Sequence, residues 1–186
     1  MGGEECERDK MRELFVLDKK NYDPNGSVGR RPSVRGIILG DGKIAMMHSL
    51  KYNYYKLPGG GIEGDESLEE TLIREVREES GLIVKSETIK EFGYVRRIEK
   101  GKIEEIFIQD NYYFMCDVES TVASQELDDY EAEEQFVLEF VETEHAICVN
   151  ESANHLEKGE STTFQGMLER ENRVLRIVEQ VCLPKQ

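Results

Sequence analysis

Residues 58–82 read PGGGIEGDESLEETLIREVREESGL, a glycine-rich segment that leads into an acidic pattern. In the second half, apolar side chains recur every four residues, at Leu68, Leu72 and Val76. This is the spacing of one face of an α-helix. Ser67 followed by Glu70 is a capping-box pair for the start of that helix, and Gly81 suits its C-terminal cap. The stretch therefore predicts a glycine loop followed by a helix over residues 67–80.

Three carboxylates of this helix, Glu75, Glu78 and Glu79, have the spacing i, i+3 and i+4, which places them on one face. Like charges so arranged destabilise an isolated helix. The plainest interpretation is a solvated acidic face with weak salt bridges. The three preceding glycines favour another, because they permit close backbone approach and can present amide N–H groups to an anion. Carboxylates beside such a loop are oxygen ligands suited to Mg²⁺ or Mn²⁺, which would relieve the repulsion.

Residues 60–82 also resemble the Nudix box, a pattern of glycine, glutamate, arginine and aliphatic residues at fixed spacings. Its specified positions are all filled, by Gly60, Glu66, Arg74, Glu75, Val76, Glu78, Glu79, Gly81 and Leu82. The resemblance implies an α/β (α+β) fold of the Nudix type, an α/β/α sandwich with a mixed β-sheet between helices. It also implies a hydrolase that uses Mg²⁺ or Mn²⁺ to cut a pyrophosphate bond in a nucleoside diphosphate linked to another group.

The resemblance implies roles for individual residues as well. Glu78 and Glu79 would be the principal metal ligands, and Glu75 would bind metal or help to activate the attacking water. Arg74 would orient the glutamates through a salt bridge, so that these four residues form the predicted catalytic set. Gly60 would contribute a backbone carbonyl to the metal.

Other candidate residues surround this set. Glu66 matches the box and is expected to support it, while Gly61, Glu63 and Arg35 are candidates for substrate binding. Arginine suits bidentate contacts with phosphate, so the other arginines of the neighbouring strands are candidates too: Arg30, Arg31, Arg96 and Arg97. Consecutive strand residues point to opposite faces, so only some of these can face the site. The tyrosines of residues 52–55 could stack on a base or pack in the core.

Family members often use a further glutamate outside the box as a metal ligand or base. The acidic stretch ELDDYEAEE, residues 126–134, is the expected region, and its pattern predicts a solvated loop. Glu133 and Glu134 are the candidates there, and we predict Glu134 as the additional metal ligand.

The 186 residues suffice for one domain with a sizeable core. We predict a loose segment over residues 1–10 and a single domain over residues 11–186. An apolar stripe predicts a C-terminal helix at about residues 164–181. Strand-like runs occupy much of the remainder, at 11–17, 33–39, 43–48, 53–57, 88–98, 103–118 and 135–141, with a loop at 21–32 and a further helix near 143–154.

The net charge of −15 argues against a stable nucleic-acid complex and against charge-driven binding to an anionic membrane. The first 15 residues lack an apolar signal region, and no run is long enough for a membrane span. The four cysteines are scattered, as is typical of free thiols. These features predict a cytoplasmic protein, either a monomer or a homodimer.

Two functions remain open on these grounds. The first is pyrophosphate hydrolysis, with a small nucleoside diphosphate derivative as the substrate. The alternative is a catalytically silent Nudix-like domain that senses nucleotides or binds proteins, although an unbroken box argues against it. The residues 82–183 contain no proline of the kind that marks ADP-ribose hydrolases, and Tyr94 falls early for the tyrosine linked to dinucleoside polyphosphates. Nucleoside triphosphates and their oxidised forms are therefore the favoured substrates.

Overall fold

The computed structural model describes residues 11–152, 155, 158 and 161–183. The segment 1–10, which we expected to be loose, lies outside the described residues. The helices within them are α1 (Leu68–Ser80), α2 (Asp129–Glu134), α3 (Thr143–Ser152) and α4 (Thr162–Cys182). The strands are β1 (Glu13–Asp18), β2 (Val28–Arg30), β3 (Ser33–Ile37), β4 (Leu39–Gly40), β5 (Lys43–Ser49), β6 (Tyr54–Lys56), β7 (Leu82–Val84), β8 (Lys90–Lys100), β9 (Ile106–Met115), β10 (Val118–Val122) and β11 (Phe136–Val141).

The largest sheet is mixed. Its order is β1-β8-β9-β2, and β3 also pairs with β9, beyond the end of β2. Strands β8 and β9 are antiparallel, whereas β1 runs parallel to β8 and both β2 and β3 run parallel to β9. A second sheet has the order β11-β5-β4 with β6 beside β5, all antiparallel, and β7 pairs with β10.

Two apolar clusters show how the helices cover the sheets. Successive residues of β3 and its extension alternate between them, as the pleat of a strand requires. Ile37 belongs to the cluster that contains Val174 and Leu175 of α4, whereas Ile38 belongs to the cluster that contains Leu72 and Val76 of α1. Helix α1 therefore covers one side and α4 the other. This arrangement confirms the predicted α/β/α sandwich with a mixed sheet between helices.

Most elements lie where the sequence predicts them. Strand β7 and all but the first residue of β10 fall outside the predicted runs and pair with each other, and two predicted loops also differ. The expected loop at 21–32 contains the short strand β2, because residues 28–30 pair with residues 106–108 of β9. The expected solvated loop at 126–134 is wrong, because its second half forms helix α2 and buries Glu131 and Glu134. Helix α4 spans the region of the predicted C-terminal helix. Among the described residues, no helix is both long and apolar enough to cross a membrane.

Candidate active site

The glycine loop that precedes α1 is held against strand β3 by backbone hydrogen bonds. The amide of Val34 donates to the carbonyl of Gly60 (2.9 Å), and the amide of Gly36 donates to that of Pro58 (2.8 Å). Gly59 has φ of 135°, and a Cβ there would stand 2.2 Å from the Val34 carbonyl oxygen. Only glycine fits this position, so the chain approaches β3 as closely as backbone atoms allow.

Helix α1 begins and ends at the predicted signals. The Ser67 hydroxyl accepts a hydrogen bond from the Glu70 amide, and the Glu70 carboxylate accepts one from the Ser67 amide, which completes a capping box. Gly81 adopts the left-handed conformation (φ 74°) and its amide donates to the carbonyl of Arg77. Both ends of the helix are therefore fixed by local interactions, and the register of its glutamates relative to the glycine loop is set.

Arg74 is the hub that joins the helix to this loop. Its guanidinium binds Glu66 through two parallel hydrogen bonds of 2.7 and 2.9 Å. The remaining donors reach Glu75 (2.9 Å), Glu78 (3.1 Å) and the carbonyl of Gly61 (3.1 Å). All five N–H groups of the side chain are thus used, and the planar fork fixes three carboxylates at once. The main effect on Glu66 is that the Arg74 hydrogen bonds lower the pKa of its carboxyl to about 2.

Glu75 and Gly60 are in direct contact. A Cβ built on Gly60 would stand 2.3 Å from Oε2 of Glu75, so the absence of a side chain at residue 60 makes room for this carboxylate. Burial raises the pKa of Glu75, while the nearby Arg74 opposes the shift. The carboxylate is therefore held against the loop backbone in an environment that favours proton uptake.

Glu79 is the most deeply buried carboxylate of the box, with 2% of the residue exposed. One oxygen accepts a hydrogen bond from Lys56 Nζ (2.7 Å), and the other accepts one from the Gly59 amide (3.0 Å). Burial raises the pKa of Glu79 to about 8; the charge of Lys56 opposes this shift, and the adjacent Glu131 reinforces it. Glu79 thus ties β6, the glycine loop and α1 together.

Glu131 of α2 joins Glu79 through the same lysine. Lys56 Nζ lies 3.0 Å from Oε1 of Glu131, which also accepts a hydrogen bond from the Tyr130 hydroxyl (2.8 Å). Burial opposes ionisation of Glu131, but the hydrogen bond with Glu79 and the charge of Lys56 outweigh it and hold the pKa of Glu131 at about 2. Burial also disfavours the charge of Lys56, yet Glu79 and its other neighbours leave the pKa of this lysine raised.

The structure does not bring the predicted outer glutamates to the box. Glu134 is buried, but its carboxylate accepts hydrogen bonds from Tyr54 Oη (2.7 Å) and from Lys158. Glu133 is exposed and pairs with Lys51. The glutamate outside the box that reaches Glu79 is instead Glu131. The spacing of Asp128 and Glu131 is a capping-box pattern, which the structure forms at the start of α2 and which could have revealed this helix.

A pocket of about 700 Å³ opens beside the glycine loop. Gly60, Gly61 and Arg35 line it, and Arg35 also donates to the carbonyl of Gly59. The other residues with charged side chains around it are Arg30, Arg31, Arg97, Glu99, Lys100, Lys102 and Glu104. Glu63 is exposed and, within the described part of the chain, does not belong to the lining.

Adjacent arginines of β8 point to opposite sides. Arg97 lines the pocket, whereas Arg96 forms a two-point ion pair with Asp110 of β9 (2.7 and 3.0 Å). Of the candidate tyrosines, Tyr54 and Tyr55 are buried in the apolar clusters, and their hydroxyls donate to Glu134 and Glu139. Of the two alternatives for these tyrosines, packing in the core is therefore the one that Tyr54 and Tyr55 adopt.

The carboxylates fit a divalent metal by their chemistry. Oxygen donors from glutamate side chains beside an open backbone loop are the ligands that Mg²⁺ and Mn²⁺ prefer. In the described part of the chain, no three acidic, histidine or cysteine side chains converge as a ready-made metal cluster. The physical reason is visible: Arg74 holds Glu75 and Glu78, and Lys56 holds Glu79, so cations of the protein itself compensate these charges.

Comparisons with known proteins agree with this fold. The sequence matches the NUDIX domain over residues 29–162, and the chain therefore belongs to the Nudix family. An ADP-ribose pyrophosphatase from Methanocaldococcus jannaschii is 43% identical over 61 residues, a match that covers 31% of this chain and 36% of that protein.

Solved structures show the same fold at lower identity. The E. coli ORF135 protein in its solution structure is 20% identical with a TM-score of 0.51, and the match covers 86% of this chain and 96% of that chain. A NUDIX hydrolase from Nitrosomonas europaea is 15% identical with a TM-score of 0.52, and the match covers 76% of this chain and 87% of that chain.

Proposed function

We propose that this protein hydrolyses a pyrophosphate bond in a nucleoside diphosphate linked to another moiety, with Mg²⁺ or Mn²⁺ as the cofactor. The observation that carries the proposal is the shared glycine loop. On one side Gly60 contacts Glu75, and on the other side the same residue lines a cation-rich pocket of about 700 Å³. A diphosphate bound in that pocket would lie next to the glutamates of the box.

Four carboxylates are proposed as the metal-binding set: Glu75, Glu78, Glu79 and Glu131, with the Gly60 carbonyl as a further oxygen. Glu131 replaces Glu134 in this set because it, and not Glu134, shares Lys56 with Glu79. A divalent ion held there would offset phosphate charge and activate water for an in-line attack.

The residues of the chain have distinct tasks in the proposed reaction. Glu75 is the candidate to accept a proton from water at a carboxylate oxygen, because its carboxylate lies against Gly60 of the loop that lines the pocket. Arg74 positions Glu75 and Glu78 without contacting substrate, since all its donors are used. Arg35, which faces the pocket, would stabilise negative charge on the phosphates.

Product analysis with a panel of nucleotides, dinucleotides and nucleotide sugars, with Mg²⁺ and with Mn²⁺, tests the proposal. Glu78→Gln is the cleanest variant, because Glu78 is only half-buried and its ion pair within the box is with Arg74. It should lower kcat by roughly 10²–10⁴-fold while the fold persists. If no member of the panel were cleaved, the alternative of a silent nucleotide-sensing or protein-binding domain would be favoured. If Glu78→Gln turned over normally, the assignment of Glu78 to the metal-binding set would be wrong.

The position of the outer metal ligand has its own matched pair of variants. Glu131→Gln and Glu134→Gln each neutralise a buried carboxylate of the same short helix. Glu131→Gln should weaken Mn²⁺ binding measured by calorimetry, whereas Glu134→Gln should leave the affinity for Mn²⁺ unchanged. The opposite result would return the role to Glu134.

The name of the relative, ADP-ribose pyrophosphatase, makes ADP-ribose one candidate substrate. Nucleoside triphosphates are the second candidate, which the sequence favours. We also propose that the enzyme is cytoplasmic, is a monomer or homodimer, and comprises a single domain over residues 11–186.

A further inference from the structure

The pocket beside the glycine loop is rich in cations although the chain as a whole has a net charge of −15. Two carboxylates line it, against six basic side chains in the described part of the chain: Arg30, Arg31, Arg35, Arg97, Lys100 and Lys102. A cleft lined by an excess of one charge concentrates ligands of the opposite charge. The local composition of this pocket therefore favours a strongly anionic ligand.

Several of these cations are not neutralised by the protein. Within the described residues, Arg30, Arg31 and Lys102 make no ion pair, whereas Arg97 pairs with Glu99 and Lys100 with Glu105. Arg31 lies against the glycine loop, because two of its guanidinium nitrogens are each 3.6 Å from the position that a Cβ on Gly61 would take. The pocket therefore contains positive charge that no carboxylate of the described residues neutralises, and part of it lies directly beside the glycine loop.

Arg97 gives a second, independent indication of an anion. It lines the pocket with 5% of the residue exposed, and its Nε–H is buried without a hydrogen-bond partner. Its other contacts are Glu99 (3.3 Å) and the carbonyl of Thr163 (3.3 Å). Burial, followed by the proximity of Arg170, lowers the pKa of Arg97 to about 10. A buried donor of this kind is rarely left unsatisfied, and an anionic ligand would satisfy it.

The number of unneutralised cations exceeds what one diphosphate diester needs. Each phosphate of such a diester carries a single charge, whereas a terminal phosphate monoester adds about −1.5 to −2 at neutral pH. We propose that Arg31, Arg97 and Lys102 form a subsite for a terminal phosphate, so that nucleoside triphosphates are better substrates than diphosphodiesters such as nucleotide sugars. This inference rests on the proposed function, because it assigns a substrate class to the same site.

Matched substrate pairs test the subsite independently of base preference. ATP is compared with ADP-ribose, and GTP with GDP-mannose, by kcat/KM with Mg²⁺ and by calorimetric binding in EDTA. At least one triphosphate should exceed its diphosphodiester by about tenfold. Arg31→Gln and Lys102→Gln, both at exposed residues, should each remove roughly tenfold from the triphosphate and less than twofold from the diphosphodiester.

Arg12→Gln is the control, because it removes the same charge at an exposed residue outside the pocket lining. It should leave both members of each pair unchanged. Arg97→Lys tests the buried donor with its charge retained, and it should weaken triphosphate binding selectively provided that its circular dichroism matches the wild type.

Three outcomes would overturn the subsite: no triphosphate exceeds its partner, Arg31→Gln lowers both members equally, or Arg12→Gln has the same effect as Arg31→Gln. Failure of the proposed function is distinguishable from these. In that case no substrate is cleaved, yet calorimetry in EDTA still decides whether a triphosphate binds more tightly than its partner and whether Arg31→Gln removes the difference.

Discussion

Lys56→Met removes the cation that two buried carboxylates share. Lys56 Nζ lies 2.7 Å from Glu79 and 3.0 Å from Glu131, and the exposed fractions of the three side chains are only 6%, 3% and 6%. Methionine keeps the length and apolar character of the lysine stem but leaves the carboxylates facing each other. Breaking a buried ion pair from one side costs about 3–5 kcal/mol, because the remaining charge stays buried without compensation. For a chain of this size that corresponds to a Tm lower by roughly 6–20 °C.

Thermal and urea unfolding in EDTA at pH 9, above the pKa of about 8 of Glu79, measures the effect by circular dichroism. Lys51→Met is the matched control, since Lys51 Nζ is also 2.7 Å from a carboxylate, that of Glu133, but the pair is on the surface. Its Tm should barely change, because exposed pairs contribute little. Addition of Mg²⁺ in excess of the EDTA should restore much of the stability of Lys56→Met and should affect Lys51→Met no more than the wild type.

A double variant measures the coupling between Lys56 and Glu79. Lys56→Met combined with Glu79→Gln removes one charge of each sign, so it should be more stable than the sum of the two single changes predicts. If Lys56→Met unfolded within 1 °C of the wild type, or if the double variant showed no such coupling, the assignment of Lys56 as the counter-cation of Glu79 would be refuted.

Three further outcomes concern the loop and the helix of the box. Gly60→Ala should place a Cβ 2.3 Å from a Glu75 oxygen and so displace that flexible carboxylate. The variant should lower kcat by roughly 10²-fold in steady-state kinetics, with little loss of Tm in thermal unfolding. Glu66 has its pKa lowered to about 2 in the folded protein, so its stabilising contribution is complete above pH 4.5 and is lost as the pH falls towards 2. The Glu66→Gln variant should therefore lose stability at pH 7 and show a flatter decline between pH 4.5 and 2 in acid titrations of Tm. Ser67→Ala removes the helix cap and should cost about 1 kcal/mol in urea unfolding without changing KM.

The helix of the box could be predicted closely because its signals are local. The capping pair, the apolar residues four apart and Gly81 all act within a few turns of the chain. Strands β3, β5 and β6 were found for a similar reason, since their apolar runs are bounded by glycine or proline. Residues 28–30 were missed because VGR has little strand character of its own, and it is the pairing with distant β9 that makes it a strand.

The prediction of a solvated loop at 126–134 was wrong for the opposite reason, because distant residues decide the structure of this stretch. A run of carboxylates predicts solvent exposure unless cations meet it, and the cations here come from far along the chain. Lys56 reaches Glu131 across 75 residues, and Lys158 reaches Glu134 from the other direction. Nothing in the composition of the stretch reports those partners. The choice between Glu131, Glu133 and Glu134 is therefore a tertiary property that local pattern cannot resolve.

The arginines divide in a way that the strand pattern only half predicts. Alternation along β8 predicts that the side chains of Arg96 and Arg97 point to opposite faces of the sheet, and the structure shows this. Alternation alone does not predict which of the two side chains faces the pocket. Asp110, opposite Arg96 on β9, decides it by binding that side chain on the outer side. The direction of a strand residue becomes predictable only when its cross-strand partner is known.

The crowding of three glutamates on one helix face is resolved by two cations of different kinds. The five N–H groups of Arg74 donate hydrogen bonds to Glu66, Glu75, Glu78 and Gly61. A lysine could not bind all four, because its ammonium lacks the planar fork of a guanidinium. Lys56 is a point charge between two buried carboxylates, where a larger guanidinium would need further acceptors. Since both cations are committed to the glutamates, neither is free to bind phosphate. Recognition of an anionic substrate must then fall to a separate group of cations, and the arginines and lysines of the neighbouring pocket are placed to provide it.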